Sequence, residues 1–171
     1  NTAQTSATFS IQDTTAPVFD QTLPYEITVS CENVPAVQTL TATDNCGSTD
    51  ILFFENTIEG NCPNNYTLIR IWTATDSCGN TTLKKQIINV LDITPPTFNE
   101  EIPQDITVEC PTVPETVTLT ASDNCSTPIV TFNENIVAGS CSNSYQIIRT
   151  WTAVDACGNS ATASQTINVI D

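Results

Sequence analysis

Two sets of hard oxygen ligands stand out in the chain, each built on three aspartates at matching positions: Asp13, Asp44 and Asp76, then Asp92, Asp123 and Asp155. The first set lies in QDTTAP (12–17), TATDNCG (41–47) and TATDSCGN (73–80), the second in LDITPP (91–96), TASDNC (120–125) and TAVDACGN (152–159). Carboxylates drawn from three separate loops, with Asn45 and Asn80 as extra carbonyl donors, are what Ca²⁺ requires. A calcium ion held there would neutralise like charges and stiffen the joint between successive domains. The same residues also suit plain turns, because Asp and Asn side chains bond nearby backbone N–H groups and Gly79 supplies a positive φ. Both readings stand at this level.

Cysteine offers a second kind of chemistry. Cys31, Cys46, Cys62 and Cys78 recur as Cys110, Cys125, Cys141 and Cys157, there is no CxxC, and the chain has no His. That pattern argues against zinc and thioredoxin-like redox sites and for disulfides formed in an oxidising, extracytoplasmic compartment. The lack of His also removes Ser-His and Cys-His nucleophile systems. Five Gly provide no phosphate-cradling loop, so a non-enzymatic role is expected.

The elements that must position these groups follow from a period of 79 residues, by which 14–92 aligns with 93–171 without insertion. The opening NTAQTSATFSIQD aligns with 80–92 and 159–171. The expected organisation is therefore the last strand of a preceding repeat (1–13), repeat 1 (14–92) and repeat 2 (93–171), an array in which length or multiplicity does the work. β-rich segments alternate with turn signals and no stretch has helical periodicity. Strands are expected at 26–31, 37–43, 50–58, 66–75 and 82–91, and again at 105–110, 116–122, 129–137, 145–154 and 161–170. Period 2 puts Tyr66, Leu68, Trp72 and Ala74 on one face, as it does Tyr145, Ile147, Trp151 and Ala153. The fold class expected is all-β: tandem immunoglobulin-like β-sandwich repeats with two disulfides each.

In that layout Cys31 and Cys62 lie at one end of repeat 1, and Cys46 and Cys78 at the other. A strand separates the ends by roughly 25–30 Å, beyond the ~7 Å Cα limit of a disulfide. Pairing like ends within each repeat predicts Cys31–Cys62, Cys46–Cys78, Cys110–Cys141 and Cys125–Cys157.

The chain has 19 acidic and 4 basic residues, a net charge of -15. Such a surface repels nucleic acid and anionic membranes, which need clustered Lys and Arg. It suits divalent cations, or simply keeps an exported polymer soluble. No apolar run is long enough to span a bilayer, no direct membrane insertion is expected, and no signal peptide or start Met is visible. An internal slice of a larger exported protein is the expectation. Arg70 and Arg149 share parity with the core and need partners; Glu55 and Glu134 are the candidates, against a reading in which each Arg head reaches water at the rim. Lys84 and Lys85 read as solvent-facing charges that discourage edge pairing.

TATDNCG, RIWTATDSCGN, RTWTAVDACGN, DTTAPVF and PQDITVEC together resemble the HYR-like immunoglobulin-fold repeats of very large surface adhesins in Bacteroidetes, of which the SprB-type gliding-motility adhesins are an instance. The resemblance covers essentially the whole chain. It implies export by the type IX route, display on the bacterial cell surface and a role as stalk or adhesive filament in attachment or gliding, and it carries over no catalytic residues. The expected partners are neighbouring repeats of the same chain, and surface polysaccharide or the substratum. An alternative is a glycan-binding module, but aromatics are only 6% of the chain, leaving Tyr25 and Phe54 as candidates. Another is a filament joined by strand addition through Thr5, Ala7, Phe9 and Ile11.

Overall fold

The computed structural model describes residues 4–110, 112–139 and 143–170. The described residues are all-β, with one short 3-10 turn at Cys31–Asn33. The chain divides into two compact units: Asn1–Ile27, Pro35–Ile58 and Leu68–Ile88 make the first, and Thr28–Val34, Glu59–Thr67 and Asn89–Asp171 the second.

The strands of the first 79-residue copy are β1 (Val18–Phe19), β2 (Glu26–Val29), β3 (Ala42–Thr43), β4 (Thr49–Glu59), β5 (Tyr66–Asp76) and β6 (Thr81–Val90). They form a pair, β1–β3, and a four-stranded sheet in the order β2–β6–β5–β4. Along β5 burial alternates strictly, with Leu68, Arg70, Trp72, Ala74 and Asp76 all buried. This is the expected core face carried on to Asp76, with Tyr66 only half-buried at its start, and the sheet's period of two produces it. Lys84 and Lys85 lie on β6, between β2 and β5 rather than at an edge. Lys84 is therefore no gatekeeper: its ammonium donates to the Gln21 carbonyl and lies 5.3 Å from the Phe19 ring centre.

The second copy repeats the pattern in β7 (Thr97–Phe98), β8 (Ile106–Glu109), β9 (Ala121–Ser122), β10 (Ile129–Ala138), β11 (Tyr145–Val154) and β12 (Ser160–Ile170). The strands β7 and β9 pair, and the larger sheet runs β10–β11–β12–β8. Two antiparallel hairpin pairings set its register, with Phe132 opposite Trp151 and Trp151 opposite Ala163. The strand β8 joins β12 in parallel, Val108 opposite Val169. A first strand parallel to the last means that the chain enters this sandwich at one end and leaves it at the other. Ile147, Ile167 and Val169 form its core with Ile106, Val108, Val113 and Tyr145 packed against them.

The segments 37–43 and 116–122 pair as strand only in their last two residues. The reason is the core itself. The carbonyls of Ala36 and Gln38 accept from Arg70 and from the Trp72 indole, and those of Pro114, Glu115 and Val117 from Arg149 and the Trp151 indole. Backbone acceptors used in this way lie across the Trp face and cap it, closing an immunoglobulin-like sandwich. Trp72 and Trp151 are 2% and 1% exposed. Removing that much aromatic surface from water contributes roughly 4–6 kcal/mol each before entropy is counted.

Residues 4–13 carry no strand, and Phe9 and Ile11 are 89% and 94% exposed. Their counterparts one and two periods on, Ile88 with Val90 and Ile167 with Val169, are at most 1% exposed. The segment has strand patterning but no sheet neighbour among the described residues.

Candidate metal centres and disulfides

The two buried arginines settle their partners first. The Arg70 Nε donates to Glu55 at 2.6 Å and the Arg149 Nε to Glu134 at 2.9 Å, and Glu134 is the register partner of Arg149 across β10 and β11. Each guanidinium is about 5% exposed and each carboxylate about a third, so the ion pairs run from core to surface. The water-facing reading fails because the core carbonyls named above already hold the guanidinium inward.

Asp13, Asp44 and Asp76 converge: one ligand oxygen from each lies within 4.8 Å of the others. Asp76 is the turn residue of the set. Its Oδ1 accepts from the N–H groups of Cys78 and Asn80 at 2.9 and 2.8 Å, and its Oδ2 accepts from the Asn80 amide at 2.8 Å. Burial pushes its pKa up, but these bonds and the Gly79 N–H outweigh burial and leave it below the usual carboxylate value. Gly79 supports the turn at φ +89°, as Gly158 does at the same value. Asp44 differs. Its Oδ1 accepts from the Cys46 N–H at 2.8 Å, while its Oδ2 is buried with no hydrogen-bond partner.

The second set converges in part: the oxygens that meet are those of Asp92 and Asp123, and Asp155 is not in the group. Asp92 and Asp123 offer oxygens within 4.8 Å of each other, together with the Cys125 sulfur. Because Cys125 is in a disulfide, that sulfur is not a thiolate ligand. Asp155 is tied in by Asn159, whose amide donates to Asp155 Oδ2 at 2.7 Å and to the Asp92 carbonyl at 3.1 Å. Burial first, then the charges of Asp123 and Asp155, raise the Asp92 pKa against a bond from the Thr94 N–H. Asp92 Oδ2, Asp123 Oδ2 and Asn124 Oδ1 are all buried without a partner.

Three carboxylate oxygens on residues of the two clusters, and the Asn124 carbonyl beside Asp123, are therefore buried without a donor. A buried anion without a donor is costly, and a hard cation is what such oxygens accept. The residues fit Ca²⁺. The Asn80 amide N–H₂ donates to Asp76 and to the Asp13 carbonyl, and the Asn45 N–H₂ to the Cys46 sulfur. Asn124, the one-period equivalent of Asn45, leaves its Oδ1 buried without a partner.

The disulfides depart from expectation. Cys31 bonds Cys125 and Cys62 bonds Cys157, with Cα separations of 5.8 and 5.2 Å. The expected Cys31–Cys62, Cys46–Cys78 and Cys125–Cys157 bonds are absent, and Cys46, Cys78 and Cys110 are exposed thiols. Cys141, the expected partner of Cys110, lies outside the described residues. The like-end argument treated each 79-residue copy as closed on itself. Instead the segments 28–34 and 59–67 belong to the second compact unit, where they meet the Asp-rich loops of 121–126 and 154–159. Asn64 and Asn65 reinforce the junction within that unit, Asn64 donating to the Cys125 carbonyl at 2.6 Å and Asn65 accepting from the Asp92 N–H at 2.6 Å.

Comparison with known proteins bears on the class. Residues 98–169 match the family described as an HYR-like domain with 4 cysteines. No curated protein matches the chain. Among solved structures, it is similar to a Drosophila N-cadherin EC1-4 fragment at 16% identity and a TM-score of 0.36, covering 92% of this chain and 50% of that one. A human mucin-like protocadherin EC1-2 fragment gives 14% identity and 0.35, covering 90% and 98%. The human desmocollin-1 ectodomain gives 14% and 0.33, covering 91% and 42%. The chain thus spans half the length of the N-cadherin fragment and less of the desmocollin.

Proposed function

We propose that the chain is a structural segment of a large extracellular adhesin, in which 14–92 and 93–171 are successive repeats, 1–13 completes a preceding one, and Ca²⁺ sits in each Asp cluster. The observation that carries the reading is the pair of disulfides Cys31–Cys125 and Cys62–Cys157, each of which ties a turn of one 79-residue copy to an Asp-rich loop of the next. A bead linked to its neighbour in this way transmits load along a stalk. Clusters 13/44/76 and 92/123/155 lie beside the cysteine-bearing loops, so a bound cation would stiffen the same places. The sequence resemblance to gliding-motility adhesins of Bacteroidetes supports display on the bacterial surface through type IX export, with neighbouring repeats as the primary partners and polysaccharide or substratum as the target of the parent protein. Direct glycan binding by these repeats is the weaker reading: both Trp are buried, and its platform would have to come from the expected Tyr25 and Phe54 with the other exposed aromatics, Phe9, Phe53 and Phe132.

Calorimetric titration of the intact chain with Ca²⁺ tests the metal part. Binding is expected at ~0.1–1 mM, the range of extracellular calcium modules, with weaker binding in Asp44→Asn and Asp123→Asn and a thermal midpoint that rises with calcium. No heat at several millimolar Ca²⁺, or equal binding by the variants, would refute it.

A further inference from the structure

The thiols of Cys46, Cys78 and Cys110 are unexplained by the bonds the chain makes. The repeat period relates them to cysteines that are bonded. Cys46 and Cys78 are one period before Cys125 and Cys157, and Cys110 is one period after Cys31. The presentation is the same as well. The Cys46 N–H donates to Asp44 Oδ1 at 2.8 Å as the Cys125 N–H does to Asp123 at 2.9 Å, and Cys78 and Cys157 repeat this on Asp76 and Asp155 at 2.9 and 2.8 Å. Cys110 directly follows β8, its N–H donating to the Ile170 carbonyl at 3.2 Å at the exit end of the sandwich, while Cys31 follows β2, where the Leu91 N–H donates to Val29 at 3.0 Å.

We propose that Cys46 is the acceptor and Cys110 the donor of a disulfide between one copy of this repeat and the next, the one-period equivalent of the Cys125–Cys31 bond. The inference rests on the end-to-end repeat reading and sharpens it: the partner is a further copy of the same unit, and a bond from Cys110 to a Cys46 seals each junction. Every bond joins two thiols with loss of two protons and two electrons. The electrons pass to a disulfide oxidant, such as a thiol oxidoreductase of the extracytoplasmic space or oxidised glutathione, which becomes two thiols. Exposure of the three described thiols leaves them open to such exchange. The exposed Phe9 and Ile11 belong to the same picture, since their counterparts are buried only where a sheet surrounds them.

The test uses the intact chain, oxidised with glutathione disulfide, resolved on non-reducing gels and mapped as peptides. A ladder rising in steps of one chain is expected, collapsing under reductant, with Cys46 recovered crosslinked to Cys110. The double variant C46S/C78S keeps both internal disulfides and should remain a monomer by itself, yet terminate ladders when mixed with the wild type. In a chain lengthened by one further 79-residue unit, the same bonds should form within the chain and Cys110 should no longer be alkylated. Recovery of Cys46 joined to Cys78, or a wild-type chain that stays monomeric with its thiols merely glutathionylated, would overturn the proposal. Calcium titration is independent of these thiols, so failure here leaves the metal reading to its own experiment.

Discussion

Replacing Cys31 by serine breaks one bond whose ends are 94 residues apart in the chain. In the chain-entropy treatment a loop of that length stabilises the folded state by about 4.7 kcal/mol, a large share of the ~5–15 kcal/mol a domain has in total. The pairing inferred from strand order alone, Cys31 with Cys62, would close a loop of only about thirty residues and contribute roughly 3.7 kcal/mol. The magnitudes are close, so the decisive quantity is coupling. In a double-mutant cycle C31S and C125S should each lose the same stability, and the double variant should lose no more than either, because all three lack the same bond. C31S with C62S should lose nearly the sum, because those residues serve different bonds. Guanidinium unfolding followed by Trp fluorescence, with the liberated thiol alkylated to prevent exchange, measures each corner of the cycle. If C125S is harmless, or if C31S/C62S behaves like C31S, the observed connectivity and the reasoning built on it are wrong.

Three further outcomes follow from the packing and electrostatics. Gly158→Ala should cost about 1–2 kcal/mol in thermal unfolding through its φ of +89° alone, because an added Cβ meets nothing within 4 Å. Glu134→Gln should cost about 2–3 kcal/mol, less than the ~3–5 kcal/mol of stranding one partner of a fully buried pair, since Glu134 is a third exposed and partly screened; Arg149→Met combined with Glu134→Gln should recover most of it. Glu100 accepts from both the hydroxyl and the N–H of Thr120, and these bonds hold its pKa below the usual value. Its folded value being depressed, its contribution is complete above the ordinary Glu pKa of about 4.3 and is lost as pH falls through the lower folded value. The acid limb of the stability curve should therefore flatten over that window in Glu100→Gln, and an unchanged limb would show that the bond carries no linkage.

Most of the long strands and their core face were legible because period-2 alternation on β5 and β11 leaves no other face for Trp72 and Trp151. The two-residue strands β1 and β7 were missed because they are too short for alternation to register. The truncation of 37–43 to Ala42–Thr43 was equally hidden: nothing local reveals that Arg70 and Trp72, some 34 residues away, take the carbonyls a longer strand would have used.

The Asp clusters were readable from loop composition, since three turns meeting at one sandwich end must bring Asp13, Asp44 and Asp76 together. Which oxygen of each would be consumed by its own turn, and which left bare, was not readable, because a carboxylate's two atoms are identical until a backbone N–H selects one. Cysteine count and spacing likewise pointed to disulfides. The partners came only from the tertiary structure: spacing within a copy is the same whether a bond closes that copy or reaches into the next, and only the assignment of 28–34 and 59–67 to the second compact unit distinguishes the two.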